Sequence, residues 1–279
     1  MEIDAGCALI DAGDGRRLER FGDRIVDRPA PGADVAPQDR AAWSQADLVF
    51  DRAGGWTSAR DEALEPWTID VGNVRLELRP TATGQLGLFP EQLAQLGWLT
   101  TRVRERSGDA APEVLNLFAY TGLATLALAA AGAAVVHLDG SRPTVAWARR
   151  NAELSALTDR PIRWLVDGVP AFIAREARRG RRYGGIVLDP PSYGHGAEGR
   201  RWLLVRDLPE LLEACRRVLA PNGFVLLTAH TPDVGPDDLA DLLGRTLGRP
   251  PASIERGALE LEAESGAGLA LGAFARSAG

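Results

Sequence analysis

Between residues 114 and 247, short apolar runs alternate with longer segments whose apolar positions recur at helical spacing. The runs 114–118, 135–138, 162–166, 186–188 and 224–227 predict strands. The stretches between them predict helices starting at Leu123, Pro143 and Pro170, and further helices over 203–219 and 236–247. Strands alternating with helices form a parallel sheet covered on both faces. The fold class is therefore α/β, a Rossmann-like doubly wound, mostly parallel sheet. The ending breaks the rule: two extended stretches, 253–261 and 269–274, flank Glu264-Ser265-Gly266 and predict a closing antiparallel hairpin.

The N-terminal third has a different texture. Short apolar pieces at 7–10, 48–50, 67–71 and 74–78, broken by Gly, Pro and Asp, predict a small β-rich domain. Residues 27–39 carry Pro29, Pro31 and Pro37 and predict a loop. From Pro90, which suits a first helical turn, Leu93, Leu96, Leu99 and Val103 recur at helical spacing as far as Gly108. The boundary falls at Gly84, giving a small domain over 1–84 and a large one over 85–279.

In an open α/β sheet, ligands bind beyond the carboxyl ends of the strands, near the point where the strand order reverses. After the first strand, Asn116-Leu117-Phe118-Ala119-Tyr120-Thr121-Gly122 ends in a glycine that lets backbone approach a ligand, and the helix from Leu123 offers free N–H groups. After the second, Asp139-Gly140-Ser141 sets a carboxylate roughly 20 residues downstream, where this fold binds ribose hydroxyls. After the third, Asp167-Gly168 stands where an adenine amino group can be met. The plainer alternative is that Asp139 and Asp167 cap helices; their joint registration with consecutive strand ends favours a nucleoside site. The GxGxxG glycines that a dinucleotide pyrophosphate requires are absent. S-adenosylmethionine has no pyrophosphate, and its zwitterionic tail suits a looser loop with Asn116, Tyr120 and Thr121 as polar partners.

The fourth loop, Asp189-Pro190-Pro191-Ser192-Tyr193, is stiff and rich in acceptors, because its prolines fix the backbone and donate nothing. Asp189 and free carbonyls there could hold a target amino group, and Tyr193 could stack on a planar base. Elsewhere a Pro-Pro pair after a strand is simply a turn. After the fourth strand of this fold it marks the reaction loop.

These residues resemble the class I S-adenosylmethionine-dependent methyltransferases and, more narrowly, the bacterial large-subunit ribosomal RNA methyltransferase family that includes the cytosine-5 enzymes. The resemblance covers about residues 84–227 and is strongest at Asn116 to Gly122 and Asp189-Pro190-Pro191. A weaker match, Gly87-Leu88-Phe89-Pro90-Glu91-Gln92, is similar to the segment that precedes the cofactor domain in that family and ends in a Gln near the cofactor. The resemblance implies that Asn116 to Gly122 surround the methionine part, that Asp139 and Asp167 meet ribose and adenine, and that Asp189 to Pro191 form the transfer site. The N-terminal segment does not resemble the family's RNA-binding PUA module. One departure bears on chemistry: a cytosine-5 enzyme needs a Cys thiolate to add to the ring. In the family that Cys follows the strand matching 224–227, where this chain has Thr228-Ala229-His230-Thr231, and its other common position holds Pro191.

Composition narrows the remaining choices. The only cysteines, Cys7 and Cys215, lie far apart, so neither a disulfide framework nor a zinc site is expected, and both read as buried structural thiols. No metal is expected. No apolar run approaches bilayer length and the N-terminus lacks a signal-peptide pattern, which predicts a cytoplasmic protein without a membrane partner. A net charge of -6 argues against phosphate binding over the whole surface but leaves room for a local patch. All 32 basic residues are arginines, bunched at 175–182 and at Arg200-Arg201, where they either engage phosphate or form solvated helix faces. His137 is expected to pack within a strand, His230 to be structural rather than a base, and His195 to sit in a glycine-rich segment, 194–199, that is either a lid or a loop tip. The function expected is methylation of an RNA base, ribosomal RNA favoured, at an atom other than cytosine carbon 5. The alternatives are a small-molecule methyl acceptor and a non-catalytic cofactor-binding protein.

Overall fold

An Asp-Gly pair closes the first hairpin of the chain: Asp14 and Gly15, at φ 51° and 74°, join β1 (Cys7–Gly13) to β2 (Arg16–Phe21). Gly22 then turns the chain into β3 (Arg24–Pro29). A single helical turn, α1 (Arg40–Trp43), is capped by Asp39 and precedes β4 (Leu48–Asp51) and β5 (Gly55–Ser58). These strands form one sheet in the order β1-β2-β3-β4-β5, parallel only between β3 and β4. A separate hairpin pairs β6 (Trp67–Val71) with β7 (Val74–Leu78). This computed structural model describes residues 6–59, 64–106, 108, 111–195 and 201–279, excluding the His195 side chain.

Apolar periodicity predicts neither β2 nor β3, and β3 takes in residues 27–29 of the expected loop. The cause is buried charge. Arg17, Glu19 and Arg28 occupy inward positions at 6%, 1% and 2% exposure. Arg28 Nε and Nη2 both donate to Glu19 Oε2, at 2.8 and 2.6 Å, and Arg17 Nε lies 3.3 Å from the same oxygen. An ion cluster fills places where the pattern calls for Val or Ile.

After a 3₁₀ turn at Pro90–Gln92 comes α2 (Leu93–Glu105), and then the expected alternation. It runs β8 (Glu113–Leu117), α3 (Leu123–Ala130), β9 (Ala134–Asp139), α4 (Arg142–Leu154), β10 (Ile162–Val166), α5 (Val169–Arg178) and β11 (Tyr183–Leu188). The chain continues through β12 (Tyr193–His195), β13 (Arg201–Leu203), α6 (Leu204–Arg216), β14 (Leu219–Ala229), α7 (Pro236–Leu247), β15 (Glu255–Glu262) and β16 (Gly268–Ser277). The seven-stranded sheet has the order β10-β9-β8-β11-β14-β16-β15, with β16 antiparallel to β14. The expected α/β class, β-rich N-terminal region and closing hairpin are all present. The short pair β12–β13 was not expected; it brackets residues 196–200, so most of the glycine-rich segment lies outside the described residues.

Alternate side chains of the central strands go to opposite faces. Leu115, Leu117, Val136, Leu138, Ile186 and Leu188 pack with residues of α5, α6 and α7. Val114, Val135, Val187, Phe224 and Leu226 pack with Leu99, Val103 and Leu128. The strand order reverses between β8 and β11, which opens a crevice beyond Leu117 and Leu188. By contacts the chain divides into two units, Met1–Gly97 with Glu260–Leu271, and Trp98–Leu259 with Gly272–Gly279. Among the described residues, no helix is long and apolar enough to cross a membrane and no group of side chains is arranged to hold a metal ion.

Breaking the buried cluster is expected to cost far more than breaking a surface pair. Glu19→Gln strands two buried guanidinium groups and should lower stability by about 3–5 kcal/mol. Asp70→Asn, which breaks the exposed Arg75–Asp70 pair, should cost about 0–1 kcal/mol. Urea midpoints of the two variants measure the difference.

Candidate active site

Four loops leave neighbouring strand ends: β8 at Leu117 pairs with Leu138 of β9 and with Leu188 of β11, and Asp139 pairs with Val166 of β10. The first loop is tightly coiled. Phe118, Tyr120 and Gly122 take φ of 56°, 50° and 92°, and left-handed backbone at two non-glycine residues persists only where its surroundings over-determine it. Here the Ala119 N–H donates to the Leu138 carbonyl at 3.1 Å, the Tyr120 N–H to Asp139 Oδ2 at 3.0 Å, and the Asn151 amide to the Thr121 carbonyl at 2.9 Å. Gly122 suits this place twice over, since a Cβ would also come within 3.1 Å of the Ala148 methyl.

A buried polar chain braces the loop from below. The Asn116 amide donates to the Thr125 hydroxyl at 2.8 Å, and that hydroxyl lies 2.9 Å from His137 Nδ1. His137 is fully buried, 4.8 Å from the Trp164 ring, and its Nε2 has no hydrogen-bond partner among the described residues. Burial pushes its pKa down to about 3, so the ring is neutral. His137 therefore packs within its strand, as expected. Asn116 and Thr121, expected as polar partners of a ligand, are themselves buried, at 3% and 1% exposure.

Asp139 carries the second loop. Its Oδ1 accepts the Ser141 N–H at 2.8 Å while Oδ2 accepts that of Tyr120. Burial raises its pKa, and the two amide hydrogen bonds pull it back. The Asp167 N–H donates to the Asp139 carbonyl at 3.1 Å, Asp167 Oδ1 accepts the Gly168 N–H at 2.7 Å, and Arg175 closes on Oδ2. Neither aspartate is a helix cap: Ser141 caps α4 and Gly168 precedes α5. The missing side chains of Gly140 and Gly168 leave open space, with no atom nearer than 4.0 Å to a Cβ at Gly140 and none within 4 Å at Gly168.

At the fourth loop, Asp189 Oδ1 accepts the Thr228 hydroxyl at 2.5 Å and lies 3.2 Å from His230 Nε2. Thr228 lies near the end of β14 and His230 just follows it, far along the chain, and sequence reasoning gave His230 a structural role without this pairing. The Ser192 hydroxyl donates to the His230 carbonyl at 3.3 Å and accepts that of Thr231 at 2.8 Å, so the two loops are stitched together. Pro190 is buried, and the Pro191 carbonyl accepts the Trp202 indole N–H at 2.7 Å. The Trp202 ring in turn stands 6.1 Å from that of Phe118. Trp202 was missed because it follows the glycine-rich stretch, where no periodic pattern marks it. Tyr193 opens β12 and is 77% exposed.

The structure thus brings Tyr120, Asp139, Ser141 and Asp167 into one hydrogen-bonded set, and joins Asp189 to Thr228 and His230. Gln92 ends the Pro90–Gln92 turn in the other unit, its N–H donating to the Phe89 carbonyl at 3.0 Å. The two thiols are free: Cys215 is buried on α6 among core residues, and Cys7 is half-buried on β1. Burial raises the Cys215 pKa, and burial beside Glu19 and Glu91 pushes that of Cys7 up to about 12.

Comparison with known proteins defines the class. The chain belongs to the S-adenosylmethionine-dependent methyltransferase family, whose sequence pattern it matches over residues 16–254. It is an enzyme, and its methyl donor is S-adenosylmethionine. More narrowly, it is similar to a solved structure of the SAM-dependent methyltransferase from Agrobacterium tumefaciens, 35% identical with a TM-score of 0.90 over 98% of this chain and 90% of that one. It is also similar to the ribosomal RNA large subunit methyltransferase K/L of Hahella chejuensis, 33% identical over 52% of this chain and 19% of that protein. The ribosomal RNA large subunit methyltransferase K of Neisseria meningitidis serogroup B is 30% identical over 50% of this chain and 40% of its own length. These matches span less than half of either relative.

The neutral, buried His137 makes stability fall with acid. Its folded pKa of about 3 lies below its value of about 6.5 in the unfolded chain, so the unfolded state binds the extra proton first. The contribution is complete above about pH 6.5 and is lost as the pH falls toward 3, at up to about 1.4 kcal/mol per pH unit. Urea midpoints taken from pH 7 to pH 4 should drop more steeply for the wild type than for His137→Gln.

Proposed function

We propose that this methyltransferase acts on a base in RNA, with large-subunit ribosomal RNA the favoured substrate, and that it methylates a nitrogen rather than cytosine carbon 5. The observation that carries the reading is the Asp189–His230 pair beside the proline loop, in a chain with no Cys at residues 189–193 or 228–231. The names of the curated relatives support the RNA part.

The residues fit the cofactor. Asp139 retains a lone pair on each oxygen beyond its two backbone donors, in a half-buried setting that suits ribose hydroxyls, and the open space at Gly140 and Gly168 leaves room for a nucleoside. In this reading Phe118, Tyr120, Thr121 and Gly122 enclose the methionine part, Asp139 and Ser141 hold the ribose, and Asp167 meets the adenine. Bound S-adenosylmethionine supplies an electrophilic sulfonium methyl. The chain itself must orient a planar nucleophile, exclude water and take up a proton. Asp189 and the proline carbonyls accept hydrogen bonds from a base amino group, which aims the nitrogen lone pair, and Tyr193 stacks on the ring. A methylated amino nitrogen sheds a proton. The Asp189 carboxylate, with the His230 imidazole 3.2 Å away, is positioned to accept it. Ring-carbon methylation would need a covalent thiolate, and both thiols sit in settings that keep them protonated.

Radiolabelled methyl transfer from S-adenosylmethionine to total RNA, run beside a metabolite extract, tests the substrate class; label confined to metabolites would favour a small-molecule acceptor. Asp189→Asn is expected to lower the transfer rate by about 10²-fold or more while calorimetric affinity for S-adenosylmethionine stays unchanged. The Cys7→Ser/Cys215→Ala variant should keep its rate within about twofold. Abolished turnover in that variant, with the cofactor still bound, would restore the cytosine-5 chemistry.

A further inference from the structure

An open groove of about 970 Å³ runs between α5 and α6 and reaches Trp202. Its apolar wall includes Pro170, Ile173, Ala177, Leu211 and Ala214, and its rim carries Arg178, Arg182, Arg201 and Arg217. The structure sorts the arginines of this region into two sets. Arg175 is paired with Asp167, Arg179 with Glu176, and Arg181 with Glu113 and Glu176, so these hold the fold together. By contrast, no carboxylate among the described residues pairs with Arg178, Arg182, Arg201 or Arg217, all of which are exposed. Arg182 Nη1 donates to the carbonyls of Arg181 and Arg217, which fixes the guanidinium without neutralising it.

The acidic residues of the groove are mostly spent. Asp207 accepts the Arg206 guanidinium and the Leu203 N–H, and Glu213 accepts Arg216. Glu210 is left against four unneutralised arginines, so the groove is cationic on a chain whose net charge is -6. It is also continuous with the reaction loop, since the Trp202 indole N–H that reaches the groove donates to the Pro191 carbonyl.

We infer that this groove is the track for the sugar-phosphate backbone of a single-stranded RNA segment whose target base lies at Asp189 to Tyr193. This rests on the RNA reading above. An apolar wall edged with guanidinium groups matches an unpaired strand, which offers phosphates along one edge and unstacked bases along the other. Arginine forks meet phosphate oxygens in pairs, and Trp202 gives the strand an aromatic face where it enters the reaction loop.

The test uses the full chain and a labelled single-stranded RNA of mixed sequence, about 12 nucleotides long. Affinity is read by fluorescence anisotropy across a KCl series, alongside methyl transfer to total RNA. Arg178→Glu/Arg217→Glu is compared with Arg150→Glu, a charge reversal at an exposed residue paired with Glu153 on α4. The groove variant is expected to bind RNA about tenfold or more weakly, with the slope of log affinity against log salt smaller by about 1.4, for two contacts at about 0.7 each. Its KM for RNA should rise while kcat and calorimetric affinity for S-adenosylmethionine hold, and Arg150→Glu should match the wild type. The milder Arg178→Gln/Arg217→Gln variant should shift both quantities in the same direction. If wild type binds and methylates RNA and the groove variants do so equally well at every salt concentration, the groove assignment is wrong and the RNA reading stands. If wild type neither binds nor methylates RNA, the RNA reading fails and takes the groove with it.

Discussion

The Asp139 carboxylate ties two loops together, and the geometry of the crevice depends on that tie. One oxygen takes the Tyr120 N–H and the other the Ser141 N–H, so the coiled loop after β8 is fastened to the end of β9. Left-handed backbone at Phe118 and Tyr120 is intrinsically unfavourable, and it persists because a half-buried carboxylate would otherwise lack partners. The arrangement supports itself: the anion holds the loop, and the loop's amides satisfy the anion. It also leaves acceptor capacity on both oxygens for a ligand.

Beneath this tie the Asn116–Thr125–His137 chain does for the loop what a hydrophobic core cannot, because it gives direction as well as contact. Its cost is an unpaired His137 Nε2 held in a neutral ring. A second buried polar cluster, Arg17 and Arg28 around Glu19, performs a similar task in the N-terminal sheet, where it takes the place of aliphatic side chains. Both clusters trade some stability for a defined arrangement of strands.

On the other side of the crevice, Trp202 makes the loop after β11 and the loop after β8 neighbours, through the Pro191 carbonyl and the Phe118 ring. Arginines differ in their partners: Arg175 and Arg181 pair with carboxylates at Asp167 and Glu113, whereas four others along one groove have no carboxylate partner among the described residues. Net charge hides this, because it sums over paired and unpaired groups alike.

The alternation of strand and helix, the closing hairpin and the four loops at 116–122, 139–141, 167–168 and 189–193 were all legible in the chain. Apolar periodicity is a local property, and each of these loops sits directly after its strand, so position along the sequence is enough to place it. Tertiary structure decided the rest. β2 and β3 escaped notice because buried Arg and Glu read as surface residues until their partners across the sheet are known. The pairing of His230 with Asp189 emerged only because β14 runs parallel to β11, and only the folded chain shows which arginines lie beside carboxylates. In each case the deciding quantity is a pairing between groups distant in sequence, and such pairings depend on strand order and register rather than on local pattern.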